Sequence, residues 1–544
     1  MTELSARIRQ GLKLPPTGWA LAGMLAFYVL AGLFGRDPWK GEDAVHIATT
    51  WEILTQGDWL ALELAGRAFN EPPLYYWSAA LTGKLLGWII PLHDAIRFAS
   101  GLWVALALVS LYYAGRELHG QERAAASPLL LAGCTGLLLN SHDAQPMLVA
   151  LAAYCCTLAA ITAFTRKPRL AGIYYGLALG ACLLGTGIAP TLPLIAVGPL
   201  AIYLLHADRS AWRACLLGWG LFLLLALPWP LALWVFEPTR LQGWLQAEWL
   251  QLGQGAPLHL GIAGYLGLLP GLAFPTLFVA LWTLWSFRRR LKQREIILPL
   301  SLFALTLLML LVAYRPDELP GLMLLPPIAL LATPGALTLR RGAASAWNWF
   351  AMTCFSFFVA LVWIGWSALH FGWPEKLAKR ALSLRPGFVA DFDWLALAAA
   401  IVCTLWWLWL IRTSPRSPYR SLVHWSMGFT AFWLLASLLW LPWFDHGRSY
   451  RSVAQAISKQ LPPNHGCVAG KNLNATQRAS LAYFIGLETV AFRKDANCRW
   501  LLVEGMPEPA VGDAWKKVWQ GNRPGNRKER FYLYQRTPAD GGVD

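Results

Sequence analysis

Charged side chains are scarce in this sequence. Asp, Glu, Lys and Arg make up 14% of its 544 residues, whereas 56% of the residues are hydrophobic. Soluble globular domains carry about 25% charged residues, and so many apolar side chains do not fit inside one soluble core. The shortage of charge therefore excludes a soluble globular protein and predicts that lipid covers part of the surface. The 31 tryptophans support this interpretation, because indole rings favour the membrane–water interface.

Motifs for binding nucleotides and metals are also missing. The chain has no Walker A loop, and no G-x-G-x-x-G element stands between a strand-like and a helical segment. His142 stands beside Asp143, but neither H-x-x-x-H nor C-x-x-C spacing accompanies the pair. These absences argue against nucleotide-driven transport and against metal catalysis. We expect no cofactor, and the sequence leaves a divalent cation open.

Apolar runs recur along the chain at the length of a membrane span. A helix needs roughly 20 apolar residues to cross the hydrocarbon core. About thirteen such runs are present, so we predict a mainly α, polytopic membrane protein with about thirteen transmembrane helices. The runs begin near Gly18, Ala95, Ala126, Ala144, Ala171, Ile188, Ala214, Ile262, Ile297, Pro320, Trp347, Leu395 and Ser421.

Basic residues mark every second connection between these runs. Arg166, Lys167 and Arg169 stand together in one such connection, and Arg340 and Arg341 in another. The positive-inside rule makes these connections cytoplasmic. A first loop at about 36–94 and everything after about residue 445 then lie on the outer side. This pattern explains the net charge of +16 and argues against a nucleic-acid partner.

The composition changes near residue 445. The last hundred or so residues are polar and mix a helical stretch, Ser452 to Leu461, with strand-like runs such as Trp500 to Val503. We therefore predict a transmembrane domain at 1–444, whose first outer loop is amphipathic, and a small outer α/β domain at 445–544. Two of the nine cysteines, Cys467 and Cys498, fall in the outer domain. A disulfide and two free thiols both remain open there.

The first loop contains an acidic pair beside apolar residues. Glu42 and Asp43 stand among side chains such as Trp39 and Ile47. Desolvation at such a place would raise the pKa of a carboxyl group and suit it to proton transfer. The alternative is a solvated helix N-terminus capped by Gly41, where the helix dipole favours acids.

The acidic pair belongs to an ordered set of motifs. Trp39 precedes Glu42-Asp43, and the stretch Phe69 to Trp77 reads FNEPPLYYW. This order resembles the first periplasmic loop of the C-type, polyprenyl-phosphate-dependent glycosyltransferases, above all the branch with the lipid A aminoarabinose transferases and the protein O-mannosyltransferases. That family has a tryptophan followed by Asp-Glu, and then an aromatic-Glu-Lys-Pro-Pro-Leu-x-x-Trp element. The resemblance covers about residues 17–340 and continues at Leu92 to Arg97, at Asp143 and at Leu324 to Leu331.

The resemblance implies a GT-C fold and an inverting glycosyl transfer. An acceptor oxygen attacks the anomeric carbon of the sugar, and a polyprenyl phosphate, such as undecaprenyl phosphate, leaves. The acceptor is expected to be a periplasmic lipid, glycan or protein, with lipid A or another lipopolysaccharide among the candidates. The implied location is a bacterial inner membrane, with the N-terminus in the cytoplasm and the C-terminal domain in the periplasm.

Motif position also assigns roles to residues. Glu42 stands where the family has its catalytic aspartate, so we predict that it is the base or the group that orients the acceptor. Asp43 is the reserve candidate, and Asp143 matches a second acid of the family. The pocket for donor and acceptor is predicted to contain Trp39, His46, Asn70, Glu71, Tyr75, Tyr76 and Tyr314.

Two departures from the family concern lysines associated with the donor phosphate. Asn70-Glu71 replaces Glu-Lys, and Thr186-Gly187 replaces Lys-Gly. A leaving phosphate still needs positive charge or N–H donors. The departures leave open a changed donor, or a catalytically degenerate scaffold protein of the same fold. The remaining basic candidates on the outer side are Lys40, Arg67, Arg97, Arg240 and Arg315.

A transporter or flippase for lipid-linked sugars is a further alternative. Its expected signs are internal repeats and charged or Gly/Pro-broken segments at midspan. No repeat is evident, and the acids gather in the outer loops. The transferase therefore stays the main prediction.

Overall fold

The structure is a computed structural model that describes residues 16, 18–39, 41–492, 498–512, 514–526 and 528–537. Most of the described chain is helical. The helices are α1 (Gly18–Leu30), α2 (Glu42–Gln56), α3 (Leu74–Leu86), α4 (Leu92–His119), α5 (Ala126–Ala132), α6 (Thr135–Asn140), α7 (Met147–Ala163), α8 (Pro168–Thr186), α9 (Ile188–Leu204), α10 (Arg209–Ala226), α11 (Pro228–Phe236), α12 (Pro238–Gln251), α13 (Leu258–Leu272), α14 (Thr276–Ser286), α15 (Arg294–Ala313), α16 (Glu318–Gly321), α17 (Leu325–Leu337), α18 (Arg341–Phe371), α19 (Glu375–Leu384), α20 (Trp394–Thr413), α21 (Arg420–Arg448), α22 (Arg451–Ser458) and α23 (Ala475–Ile485).

Eight helical spans within the described ranges are long and apolar enough to cross a membrane. The pair α13 and α14, bent by 108°, makes a ninth if it is one span. Three shorter apolar helices, α1, α7 and α9, coincide with predicted runs. The run predicted from Ala126 is divided at Gly133 and Cys134 into α5 and α6. The polytopic, mainly α fold is confirmed, whereas the number of thirteen spans stays a prediction.

The spans differ in how much protein surrounds them. In the span Glu318–Leu337, 94% of the most apolar 18-residue stretch is buried inside the protein, so this span lies at the centre of the bundle. In the span Arg209–Phe236 only 22% is buried. Its outward residues include Trp234 and Val235, which are 65% and 67% exposed. A helix that is apolar on its exposed face needs lipid around it.

The C-terminal part forms a five-stranded sheet in the order β2-β1-β3-β5-β4. The strands are β1 (Val468–Lys471), β2 (Thr489–Ala491), β3 (Trp500–Glu504), β4 (Trp515–Gly521) and β5 (Phe531–Arg536). Strand β1 pairs in parallel with β2 and β3, and β5 pairs antiparallel with β3 and β4. The apolar side chains of α22 pack on one face of the sheet. The α/β character is confirmed. A disulfide joins Cys467 and Cys498, which is one of the two alternatives that the sequence left open for this pair.

The first outer loop lies between the membrane bundle and this sheet domain. Helix α23 of the sheet domain packs on α2, where Ala479 is buried with Val45 and Ala48. The Thr476 hydroxyl donates to the carbonyl of Gly41 at 3.4 Å. The start of α2, which carries the acidic pair, is therefore held from both sides.

Candidate active site

Helix α2 begins at the acidic pair, as the helix-start interpretation expects. Gly41 has a φ of 120°, a conformation that a side chain would strain, and it places Glu42 and Asp43 in the first turn. The carboxylates therefore stand at the positive end of the helix dipole. The two side chains nevertheless enter very different surroundings.

Asp43 lies in a buried ion cluster. Its side chain is 5% exposed, and Arg97 donates to both carboxylate oxygens at 3.0 and 2.8 Å. Arg36 approaches at 3.5 Å, and the backbone N–H of Ala144 donates at 2.8 Å. Burial alone would raise the pKa of Asp43, but the charges of Arg97 and Arg36 outweigh burial and lower it. Asp43 is therefore a permanent anion that ties three segments together.

Glu42 faces an open cavity instead. Its side chain is 59% exposed, and its carboxylate lies 3.5 Å from Nε2 of His46. The interaction with His46 lowers the pKa of Glu42 and outweighs the effect of burial. The expectation that desolvation raises the pKa of the acidic pair is thus wrong for both members. Nearby positive or hydrogen-bonding groups decide the sign in each case.

A chain of hydrogen bonds continues from His46 below the cavity. Nδ1 of His46 lies 2.7 Å from the Tyr76 hydroxyl. That hydroxyl donates to the Glu71 carboxylate at 2.5 Å, so its oxygen is free to accept a hydrogen bond from Nδ1. Four predicted residues, Glu42, His46, Tyr76 and Glu71, are in this way connected in one row.

The cavity itself has a volume of about 300 Å³. Five of the predicted residues line it. Thr186 lines it as well, and it stands at one of the two positions where the family has a lysine. Its polar lining contains four acids and, within the part of the chain that the structure describes, no Lys or Arg. The lining residues that bear polar side chains are Glu42, His46, Asn70, Glu71, Gln145, Thr186, Glu248, Gln251, Tyr314 and Asp317.

Glu248 is a member of this site that the sequence did not single out. It is buried, and it accepts hydrogen bonds from the backbone N–H of Ile188 at 2.7 Å and from Trp244 Nε1 at 3.1 Å. A Cβ on Gly187 would lie 1.9 Å from Oε1 of Glu248, so this glycine allows the carboxylate to approach. Burial raises the pKa of Glu248. The available signal was a glutamate four residues after a tryptophan in an amphipathic helix.

Three other predicted residues lie outside the cavity. Asp143 accepts from Arg36 at 2.5 Å. Trp39 donates to Asp445 at 2.5 Å, and its ring lies between the guanidinium groups of Arg36 and Arg448, each 4.7 Å away. Tyr75 is fully buried behind the cavity and its hydroxyl lies 2.8 Å from the hydroxyl of Ser100. These side chains support the first loop and do not line the cavity.

The predicted basic candidates are scattered. Arg97 is committed to Asp43, and Arg240 forms an ion pair with Glu63. Arg67 lines a separate cleft beside the sheet domain. Arg315 is exposed next to Tyr314, and no acid within the described ranges forms an ion pair with it. Lys40 lies outside the described residues.

The described residues contain no group of three or more His, Cys, Asp or Glu side chains placed to hold a metal ion.

Parts of the chain resemble proteins of known description. A family model described as dolichyl-phosphate-mannose-protein mannosyltransferase matches residues 70–234. An undecaprenyl phosphate-alpha-4-amino-4-deoxy-L-arabinose arabinosyl transferase of Sodalis glossinidius is 32% identical over 308 residues, which are 51% of this chain and 52% of the relative. A transferase of the same description from Aeromonas hydrophila is 28% identical over 282 residues, 47% of this chain and 50% of the relative. The chain thus spans about half the length of the curated relatives it matches.

A solved structure extends the likeness to the whole fold. ArnT from Cupriavidus metallidurans bound to undecaprenyl phosphate matches with a TM-score of 0.70 at 15% identity, covering 97% of this chain and 100% of that one. The same protein in the apo state matches with a TM-score of 0.68. At this identity the match establishes the fold alone. The resemblance seen in the motifs is confirmed: the chain has the GT-C fold of the integral membrane glycosyltransferases and resembles the lipid A aminoarabinose transferases.

Proposed function

We propose that the chain is an inverting glycosyltransferase that moves a sugar from a polyprenyl phosphate to an acceptor outside the cytoplasm. The observation that carries the proposal is the convergence of separate motif positions on one cavity. Glu42 comes from the start of α2, Asn70 and Glu71 from the Pro-Pro element, Thr186 from the end of α8, and Tyr314 from the loop after α15. Relatives named as transferases match about half of this chain, and the mannosyltransferase family model matches residues 70–234.

Glu42 is the base in this proposal. Because the Tyr76 hydroxyl donates to Glu71, Nδ1 of His46 donates a hydrogen bond to the Tyr76 oxygen. Nε2 of His46 lies 3.5 Å from the Glu42 carboxylate, and Glu42 itself takes the proton from the acceptor hydroxyl. The bond from the acceptor oxygen to the anomeric carbon forms as the bond to the phosphate oxygen breaks, and the phosphate keeps the electron pair. Asp43 holds the loop in place and takes no part in proton transfer.

The acidic lining favours a sugar that carries a protonated amine. A positive unit charge about 4 Å from one carboxylate is attracted by about 4 kcal/mol at an effective dielectric constant of 20. A negative phosphate charge at the same distance is repelled by the same amount. With Glu71 and Thr186 at the two lysine positions, the cavity suits a cationic sugar better than a phosphate. The relatives are named for the transfer of 4-amino-4-deoxy-L-arabinose, a sugar of this kind.

The donor phosphate then lies beyond the acidic lining, and Arg315 is the basic residue best placed to meet it. It follows Tyr314, which lines the cavity, and it has no ion-pair partner in the described part of the chain. The acceptor in this proposal is a lipid or glycan of the cell envelope, with lipid A as the first candidate.

Reconstituted transfer tests the proposal. Purified protein is incubated with undecaprenyl phosphate bearing either 4-amino-4-deoxy-arabinose or a neutral pentose, with lipid A as acceptor. We expect transfer of the amino sugar and at least tenfold slower transfer of the neutral one. Absence of transfer with every donor supports the second candidate function, a degenerate scaffold of the same fold, which the replacement of both lysines favours.

Orientation and domain division belong to the same proposal. We place the chain in a bacterial inner membrane, with the first loop and the segment 445–544 in the periplasm. The disulfide between Cys467 and Cys498 supports an oxidising compartment. Cysteines introduced singly at Gly253 and Gln293, both exposed or partly exposed, test this with a membrane-impermeant maleimide. In intact cells we expect labelling at position 253 and none at position 293. Labelling at position 293 would contradict the proposed orientation.

A further inference from the structure

A second polar cleft lies where the first outer loop meets the sheet domain. Its volume is about 400 Å³. One wall comes from the loop between α2 and α3, and the others come from the ends of β1 and β2 and the start of α23. The lining residues are Arg67, Gly470, Lys471, Asn472, Leu473, Arg478, Ala491 and Phe492.

The cleft is positively charged. Arg67, Lys471 and Arg478 contribute three cations, and no acid is among the lining residues within the described ranges. None of the three cations forms an ion pair with a described carboxylate. Glu488, next to the strand that forms one wall, accepts from Gln56 at 3.5 Å. Among the lining residues that the structure describes, the cleft thus holds three like charges together without a carboxylate.

Arg478 stands in an unfavourable place for a cation. It lies in the first turn of α23, where the helix dipole disfavours positive charge. Its Nη1 donates to the Leu473 carbonyl at 2.9 Å, but its Nε is buried without a hydrogen-bond partner. Burial and the neighbouring charge of Arg67 lower the pKa of Arg478. A buried, unpaired donor of this kind is normally satisfied by a partner.

The other two cations are held less tightly. Arg67 reaches across the junction to the Thr489 carbonyl at 3.5 Å. Lys471 donates to the Ala510 carbonyl at 3.2 Å and lies 5.6 Å from the centre of the Phe492 ring. Both therefore keep donors available for a ligand in the cleft.

We propose that this cleft is a phosphate-binding site, separate from the acidic cavity. The guanidinium groups of Arg67 and Arg478 and the ammonium of Lys471 suit a phosphate group, which carries more charge and more acceptor oxygens than a single carboxylate. The proposal rests on the proposed function in one respect only, which is the source of the phosphate. For a transferase that modifies a lipid, the source is the phosphorylated head group of a lipid, and bound phosphate would position that lipid beside the first loop.

Titration of the full-length protein in a non-ionic detergent with inorganic phosphate, followed by calorimetry, tests the site. We expect Arg478→Gln and Lys471→Gln each to weaken binding on the order of tenfold, because each removes one charge-assisted contact. Arg478→Lys keeps the charge and should keep most of the affinity. Arg499→Gln and Lys459→Gln, which change exposed cations elsewhere in the sheet domain, are the matched controls and should bind as the wild type does.

Equal phosphate affinity in the wild type, Arg478→Gln and Lys471→Gln would overturn the site. The source of the phosphate is tested by competition, in which nanodiscs of phosphatidylglycerol are expected to reduce phosphate binding and nanodiscs of phosphatidylcholine are not. Equal effects of the two lipids would overturn the lipid source. Glu42→Gln separates this proposal from the transferase proposal, because it should abolish transfer and leave phosphate binding unchanged.

Discussion

Replacement of Glu42 by Gln tests the proposed chemistry most directly. The amide keeps the shape of the side chain, which is 59% exposed, but it cannot accept a proton. Loss of a positioned acid–base group typically lowers a rate by about 10²- to 10⁴-fold. We therefore expect transfer to fall by at least 100-fold, with protein stability changed by no more than about 0.5 kcal/mol, as for a surface substitution.

The assay follows labelled sugar from undecaprenyl phosphate to the acceptor, and thermal unfolding of each variant is measured alongside. Glu375→Gln is the matched control, because Glu375 is also the first residue of a helix and is 75% exposed. It should transfer at the wild-type rate. Wild-type transfer by Glu42→Gln would show that the base lies elsewhere and would refute the assignment.

Asp43→Asn provides the contrast, since Asp43 is adjacent in sequence and different in surroundings. Removing its charge leaves Arg97 fully buried with Asp94 as its remaining ion-pair partner. Breaking a buried pair typically costs about 3 to 5 kcal/mol. We expect lower thermal stability and less folded protein. A variant that is as stable as the wild type and selectively inactive would instead make Asp43 the base.

Two further substitutions test the recognition of the donor. Arg315→Ala should raise the KM for the lipid-linked sugar about tenfold, because a charge-assisted contact is lost. Arg166→Ala changes an exposed residue that is paired with Glu117, and it should leave this KM unchanged. Equal effects of the two substitutions would show that Arg315 does not bind the donor. Glu71→Gln should reduce the preference for an amino-sugar donor over a neutral one about tenfold, measured as the ratio of kcat/KM values, and an unchanged ratio would show that the amine binds elsewhere.

Most of the fold could be predicted because it depends on local composition. Apolar runs of span length identify membrane helices without knowledge of their neighbours. Strand-like segments such as Trp500 to Val503 were likewise readable from their residues, and they form β3 and its neighbours. The division at Gly133 and the bend between α13 and α14 were not predicted, although the bend falls at Pro275, a residue type that ends or kinks helices.

The site was predictable only where a motif carried it. Glu42, His46 and Glu71 converge as the motif order implied. Glu248 was missed, since only the tertiary fold brings α12 against the start of α9. The pairing of Arg97 with Asp43 was missed for the same reason, because the two residues are 54 positions apart in the sequence.

The different fates of Glu42 and Asp43 follow from helix geometry. Successive residues of an α-helix are turned by about 100°, so neighbours cannot share a face, whereas residues four apart do. His46 follows Glu42 by four and lines the same cavity, while Ile47 follows Asp43 by four and is fully buried. An Asp-Glu or Glu-Asp pair at the start of this helix therefore always directs one acid to the cavity and the other to the interior. The order of the pair in this chain places the longer side chain on the cavity side, where the carboxylate reaches His46. It leaves the shorter one against Arg97, where a carboxylate close to the backbone can also accept from Ala144.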